Sequence, residues 1–596
     1  PQDRDQAYFK HDGLLLNFAL GAAGLKYMQS FDNNLKDIKT FNYEERNIDR
    51  RLLNETSLDE WQSIAKDLQQ SLTDKVIETA VHNLPKEVYP EIGNDIIEKL
   101  KARRTHLLEW ANDYYNFIST EVEIPGSNKD DEFDVKGNHD ETVVDVYKLN
   151  DDGKKYDNAF YSRTFKSSET KEIRLFGLKG NNKYVIDQNA GNNIKLKIIT
   201  GSKQDSIVDI ALNKNSKAIV YSKEAVQTNA SNNIRIIHDT MFRSYDYSWY
   251  KYDKNGFFPT LFYSNEDRLY ASLGYRMKNY AWGKKPFASD QFIDYHYSLM
   301  EKSYSVTYKA LFPNLVAHAD LSILANYDNI RWKYFFGFGN ESLFADAHDK
   351  KYYTMRTRQW IVQPGLVKNF GNNTINVFGI LQGLKVINDS SGFTSKEFMP
   401  ANSDYDWKTF AGAGVSYSFQ YLNDIVVPTK GIYFNAIASG ASNIKNSSSH
   451  YFDYAATAHF YIPLISKFSM NIRTGAETIT GDPEFYQYAS IGGPTLRGVV
   501  RDRFWGKTSF YNTNDLRFIS PVHTHIFNGK AGLLAFFDNG RVWMPGENSN
   551  TWHTAVGGGI ILSPFNFLYL DATYGVSANK ESSIQVRLTT YLKQKK

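Results

Sequence analysis

From Gly256 to the C-terminus, apolar and polar residues alternate in segments of roughly 8–14 residues separated by turns. Leu269, Ala271, Leu273, Tyr275 and Met277 share one face of such a segment, with Ser272, Arg276 and Lys278 on the other. Tyr304, Val306, Tyr308, Ala310 and Phe312 oppose Ser305, Thr307 and Lys309. Phe468, Met470 and Ile472 oppose Ser469, Asn471 and Arg473. Leu568, Leu570, Ala572 and Tyr574 oppose Tyr569, Asp571 and Thr573; Ile584, Val586 and Leu588 oppose Gln585, Arg587 and Thr589. Any one segment also fits a water-soluble sandwich. Sandwich strands, however, are usually shorter and share a dry core, whereas here the second face is repeatedly charged. The pattern predicts about 16 strands, an even number as in a closed bacterial barrel. They start near 257, 269, 292, 304, 317, 353, 374, 408, 432, 452, 468, 510, 532, 553, 567 and 584. Closure is required in lipid, where an open edge leaves backbone groups unpaired.

The pattern before residue 236 is different. Residues 1–56 are mixed and read as the end of a longer upstream domain. Ser57-Leu58-Asp59-Glu60 is a capping box opening a helix with Leu58, Trp61, Ile64, Ala65 and Leu68 on its apolar face. Thr73 caps a second helix, with Val76, Ile77, Ala80, Val81 and Leu84 inside and Pro85 as its stop. Pro90 starts a third through Ile96, Ile97 and Leu100, and a fourth uses Leu107, Leu108, Ala111, Tyr114, Tyr115 and Ile118. Residues 57–120 are thus a small helical unit. Over 121–235, short β-rich pieces alternate with Gly/Asn/Asp turns, and GNNKYVID (180–187) loosely repeats as GSKQDSIVD (201–209). A sandwich or a solenoid-like stack fits. The predicted fold class is mainly β: a C-terminal 16-stranded transmembrane β-barrel over 236–596, preceded by the helical unit and this β-rich domain.

Composition narrows the chemistry. With 69 basic and 66 acidic residues no polyanion is implied, so nucleic acid is not an expected partner. Cysteine is absent, which removes disulfides, thiol catalysis and cysteine-bound zinc. Mean hydropathy is low, as a barrel with half-polar strands allows. Gly13–Leu25 has the length of a signal-peptide core, but Asp3, Asp5 and Asp12 outweigh Arg4 and Lys10 before it, the wrong sign. The chain opens on Pro1 and is expected to be a fragment or processed product. GNHD (137–140) lacks the further ligands a two-metal site needs and reads as a turn, as does the pair His523 and His525. Lys99, Lys101, Arg103 and Arg104 read as a solvated face, with a membrane-surface contact as the alternative. No metal or other cofactor is expected.

One stretch departs from the barrel pattern. Gly492, Gly493 and Pro494 interrupt any strand, and the loop they open carries Arg497, Arg501, Arg503 and Lys507 beside Val499, Val500, Phe504 and Trp505. A loop over 485–509 folded back into a polar, partly enclosed cavity uses both kinds of residue; a surface loop with unpaired arginines is the alternative. Strands Phe510–Ser520 and Gly532–Trp543 follow, the second carrying Asp538. Arg497 is expected to reach this carboxylate across the lumen, a bond of about 1–3 kcal/mol.

The motifs in this region resemble the BamA/TamA-like outer-membrane surface-antigen superfamily. GGPTLRG (Gly492, Gly493, Leu496, Arg497, Gly498) is similar to that family's loop motif, and FFDNGRVW to its later wall motif, with Asp538 and Gly540 in the matching places. NDLRFISP is similar to the preceding strand, except that Arg517 stands where relatives are often acidic, with Asp515 two residues earlier. PTKGIYF from Pro428 and GGGIILSPFNFLYLDATYG extend the resemblance over roughly 256–592. It implies a lid loop inside a 16-stranded barrel, its Arg on an acidic wall residue. It also implies insertion or translocation of polypeptide at the outer membrane of a Gram-negative bacterium, without nucleotide or metal. Expected partners are outer-membrane lipid and client or partner polypeptides, a lipoprotein included. The region before the barrel would be periplasmic. Its order, four helices then strands, differs from the family's β-α-α-β-β POTRA units and is closer to long Bacteroidota proteins with a soluble region upstream. A weak seam is expected where Pro259 and Phe262 on the first strand meet Ile584, Val586 and Leu588 on the last. The alternatives are a closed barrel that anchors a soluble domain or lipoprotein, and a membrane-anchored enzyme whose catalytic part lies upstream of residue 1; the present chain is not expected to be an enzyme.

Overall fold

A computed structural model describes Tyr8, Lys10 and residues 28–590, apart from 139, 189–192, 202–203, 211–217, 223–225, 229–233, 239–244, 265–267, 301, 317, 343, 345–347, 524–527 and 567. The chain forms two compact units, one running to Tyr252 and including Ala281–Gly283, the other made of Asp253–Tyr280 and Lys284 onward. The barrel therefore starts later than residue 236, because the stretch before Tyr252 packs with the first unit. Asp3, Asp5, Gly13–Leu25, His139 and His525 lie outside the described residues.

The first unit opens with helices α1 (Ile38–Phe41), α2 (Arg46–Leu52), α3 (Leu58–Ser71), α4 (Asp74–Val81) and α5 (Tyr89–Ser119). Ser57 and Glu60 form the expected capping box, and Thr73 caps α4 through the amide of Val76. The third and fourth expected helices are one, α5, with Pro90 in its first turn. No glycine or proline stands between Leu100 and Leu107, so nothing stops it. The separation at residue 56 also fails: Phe31 shares a core with Ile77, Val81, Ile96 and Ile97. Ile64 and Leu68 are 67% and 44% exposed, because α3 meets α5 through Ala65, Gln62 and Gln69 instead. The basic run is internally engaged: Lys101 with Glu78 (2.6 Å), Arg104 with Asp74 (2.8 Å), and Arg103 on the Phe31 ring. That removes the reason to place it on a membrane surface.

Strands β1 (Glu121–Pro125), β2 (Asp131–Gly137), β3 (Glu141–Lys148), β4 (Tyr161–Lys166), β5 (Glu172–Phe176) and β6 (Lys183–Gln188) follow. They lead to β7 (Lys195–Ile199), β8 (Ser206–Asp209), β9 (Ile219–Ser222), β10 (Gln227–Thr228) and β11 (Arg235–His238). From β5 onward, alternate strands join alternate sheets, in the orders β1-β5-β7-β9-β11 and β10-β8-β6-β2-β3-β4. The first sheet is parallel throughout, and β2, β6, β8 and β10 are parallel in the second. This is the solenoid-like alternative, each coil covering the one before it. The loose repeat is two successive coils, Tyr184 lying beside Ile207. Val122, Ile173, Leu196 and Val220 fill its interior from one sheet, Phe133, Tyr184 and Ile207 from the other. Asn182 is buried and accepts from the Asp131 amide while its own backbone amide donates to Asp205 Oδ1 (2.7 Å). Of GNHD, Gly137 ends β2 and Asn138 and Asp140 lie between β2 and β3, where Asn138 Oδ1 accepts from the amides of Asp140 and Glu141.

The second unit is a barrel of sixteen antiparallel strands. These are β12 (Lys254–Ser264), β13 (Arg268–Asn279), β14 (Ser289–Ser298), β15 (Ser303–Val316), β16 (Ala319–Tyr334), β17 (Thr354–Phe370), β18 (Asn373–Val386) and β19 (Lys408–Leu422). Next come β20 (Gly431–Asn443), β21 (His450–Pro463) and β22 (Phe468–Asp482). A small hairpin, β23 (Ala489–Ile491) and β24 (Phe504–Gly506), interrupts the series. The wall resumes with β25 (Thr508–His523), β26 (Asn528–Trp543), β27 (His553–Pro564), β28 (Leu568–Ser577) and β29 (Ser582–Thr590). Leu273, Ile293, Val377, Phe452, Leu533, Val556, Ile584 and Val586 are all more than two-fifths exposed on the outside. An apolar band of that extent fits lipid rather than water. Ser469, Asn471, Asp515, Arg517, Tyr569 and Asp571 are buried on the inside. Among the described residues no helix is long and apolar enough to cross a membrane. Long connections, 335–353, 387–407, 483–507 and 544–552, gather at the end opposite the start of β12.

Candidate functional site: an arginine-bearing lid

The β22–β25 connection crosses the barrel interior. Trp505 Nε1 donates to the carbonyl of Tyr334 on β16, and Gly498 lies against the backbone of Gly575 and Val576 on β28. Ile491, Leu496, Val499 and Phe504 bury themselves with Val542 and Ala555 of the wall. Those apolar loop residues therefore anchor a lid. The glycines let the chain turn: Gly493 and Gly498 have φ of +58° and +91°. A Cβ on Gly498 would stand 2.8 Å from the Val576 nitrogen. Gly498→Ala is expected to unseat the lid and to expose the bond after Arg501 to trypsin; a digest matching the unmodified protein's would contradict this.

Arg497 follows from this path. Its Nε donates to Asp538 Oδ2 (2.8 Å) and its Nη2 to Asp538 Oδ1 (2.6 Å), while its backbone amide donates to Oδ2 (3.0 Å). The same Nη2 donates to Asp515 Oδ1 (2.7 Å). Asp515 Oδ2 accepts from Arg517 Nε (3.0 Å), Arg517 Nη2 (2.6 Å) and Asn471 Nδ2 (3.0 Å). Adjacent strands bring the two carboxylates together: Thr513 pairs with Asp538, so Asp515 lies one step along the same inner face. Arg517, where the resemblance places an acid, neutralises Asp515, and Asp515 is the second acidic partner. The Phe536 ring, 3.8 Å from Arg497 Cζ, forms the floor. Asp538 is fully buried. A surface loop with a free arginine is thus excluded.

The chain is similar to BamA.

The likeness is to BamA from Haemophilus ducreyi lacking POTRA domains 1–3, at 16% identity and a TM-score of 0.43, over 57% of this chain and 71% of that one. CdiB from Escherichia coli is similar at 13% identity and a TM-score of 0.37, over 56% of this chain. CdiB from Acinetobacter baumannii is similar at 12% and 0.34, also over 56%. The chain spans 62% and 59% of the two CdiB chains, less than two thirds of their length. No family model matches the chain, and no curated protein does.

Gly540 lies on β26 against Tyr511, its Cα facing the lid's Ile491 side chain. Pro259 does not start its strand: β12 begins at Lys254, and Pro259 sits mid-strand opposite Leu273. Phe262 pairs with Tyr270 along the backbone. Ile584, Val586 and Leu588 pair with Tyr574, Ala572 and Leu570. The strand order puts β12 and β29 at its two ends, and among the described residues no ladder joins them. His523 Nδ1 meets Asn528 Oδ1 (3.1 Å) at a turn. Sequence reasoning missed Asn471, the Phe536 floor, and Arg473, whose Nη2 donates to the Pro494 carbonyl from the wall. Only the strand alternation, which turns Asn471 and Arg473 inward, hinted at these two, and nothing hinted at the floor.

Proposed function

We propose that the chain acts in the insertion or translocation of polypeptide at the outer membrane. The observation that carries this is Arg497, held inside a 16-stranded barrel by Asp538 and Asp515 at the motifs that resemble the surface-antigen superfamily. The strand order, in which no ladder joins β12 to β29 among the described residues, supports it, since a client needs a route into lipid. The region before the barrel is then periplasmic, the long connections lie outside the cell, and the partners are lipid and client polypeptides. In this reading the chain itself carries out no covalent chemistry. Depleting the protein is expected to lower the amounts of other outer-membrane barrels, with recovery on re-expression of the unmodified chain but not of Arg497→Ala. Normal levels of every other barrel after depletion would count against the reading.

A second reading has its own observation. Stacked coils preceded by helices differ in order from a β-α-α-β-β unit, and fit a barrel that anchors a soluble domain or a lipoprotein. In that case depletion spares other barrels, and a partner is lost from the membrane instead.

A further inference from the structure

The lid carries a second buried arginine that the Asp538–Asp515 site does not use. Arg503 is 4% exposed. Its Nε donates to Glu581 Oε1 (3.2 Å), its Nη1 to Ser342 Oγ (2.9 Å) and its Nη2 to the Ser342 carbonyl (2.8 Å). The rings of Phe336 and Phe504 each lie 4.5 Å from Cζ. So the guanidinium is gripped by the β16–β17 connection and points at one carboxylate.

The position of that carboxylate gives the contact its meaning. Glu581 immediately precedes β29 and closes the β28–β29 turn, its amide donating to Ser577 Oγ (3.1 Å) and its carbonyl accepting from the Ser577 amide (2.9 Å). Among the described residues β29 has a ladder on one side only, with β28. The lid touches this terminal hairpin twice: through Gly498 at Gly575 and Val576, and through Arg503 at Glu581.

We infer that Arg503 is a positioning residue that braces the terminal hairpin through Glu581, so that seating of the lid and order in β29 are one coupled event. Removing Arg503 leaves Glu581 without its counter-charge, and removing Glu581 leaves the buried guanidinium with only the neutral acceptors of Ser342, so both losses release the same strand. Deuterium uptake by the full chain in lipid nanodiscs tests this. Arg503→Ala and Glu581→Ala are each expected to speed exchange at Ser582–Thr590 at least tenfold, with β20 and β21 unchanged and the double variant no faster than either single one. Glu581→Gln, which keeps the shape and an acceptor but loses the charge, is expected to raise exchange in the same strand by less. Unchanged exchange in β29, equal acceleration in all strands, or effects that multiply in the double variant would overturn the inference. None of these outcomes depends on whether the barrel handles client polypeptides.

Discussion

Arg497→Ala is expected to remove most of the heat-resistant folded barrel in a gel-shift assay, a loss of about 3–5 kcal/mol. Asp538 is fully buried and takes three hydrogen bonds from Arg497, one from the backbone and two from the guanidinium. Without the side chain, a buried carboxylate keeps one amide donor and no counter-charge. Asp515 suffers less, because Arg517 and Asn471 still hold it. The asymmetry makes the claim specific. Adding Asp538→Asn to Arg497→Ala is expected to restore part of the folded form, since it removes the stranded charge. Adding Asp515→Asn is expected to restore none, since it strands Arg517 instead. Arg497→Lys is expected to recover little: an ammonium has one nitrogen, and the contacts here run from Nε and Nη2 to two carboxylates. Full heat resistance in Arg497→Ala would remove the lid pair from the folding of the barrel.

The barrel was legible because alternation with a period of two, charged on one face, has few other solutions at this strand length. Strand starts such as 303, 408 and 553 fall within a residue of those expected. β12 and β26 start earlier, at 254 and 528, because Lys254, Asn255 and Asn528 continue the ladders with polar side chains that carry no periodic signal. Arg497 and Asp538 were legible through their motifs. Arg517 was not: residues two apart share a strand face, and nothing local tells whether Asp515 serves the lid, its own neighbour or both. Arg503 was visible as a cation, but its partners Ser342 and Glu581 lie 161 and 78 residues away. A backbone carbonyl such as that of Pro494 leaves no trace in residue types at all. Sandwich and solenoid share the same short β-rich pieces; parallel pairing separates them, and only the repeat at 180 and 201 carried that information.

Arg174→Ala is expected to destabilise the stacked-coil unit by about 3–5 kcal/mol at neutral pH, and by less in acid. Arg174 lies on the outer face of the parallel sheet, 2% exposed, with Nη2 on Glu121 (2.6 Å), Nε on Glu172 (2.6 Å) and Nη1 on Glu123 (3.3 Å). The register explains the cluster: Glu121 stands beside Glu172, Glu123 beside Arg174, and Arg174 beside Lys197. Three carboxylates from two adjacent strands share one guanidinium, and Lys197 reaches only Glu172 (2.8 Å). Burial holds the Glu123 carboxyl above its ordinary range even with Arg174 present. A carboxyl raised in the folded state favours folding when protonated, and that contribution is lost as pH rises through the raised value. Removing Arg174 takes away the cation that opposes this rise, so the Glu123 carboxyl goes up further, and the deficit is largest where it is ionised and shrinks as pH falls through its raised value. Urea titration of the full chain, read by proteolysis within residues 121–199, measures it at both pH values. Glu123→Gln in the Arg174→Ala background is expected to recover part of the loss at neutral pH and almost none in acid, because in acid the carboxyl it replaces is already neutral. An equal deficit at both pH values would assign the loss to packing of the arginine stem against Trp249, whose ring lies 5.4 Å from Cζ, rather than to the stranded charges.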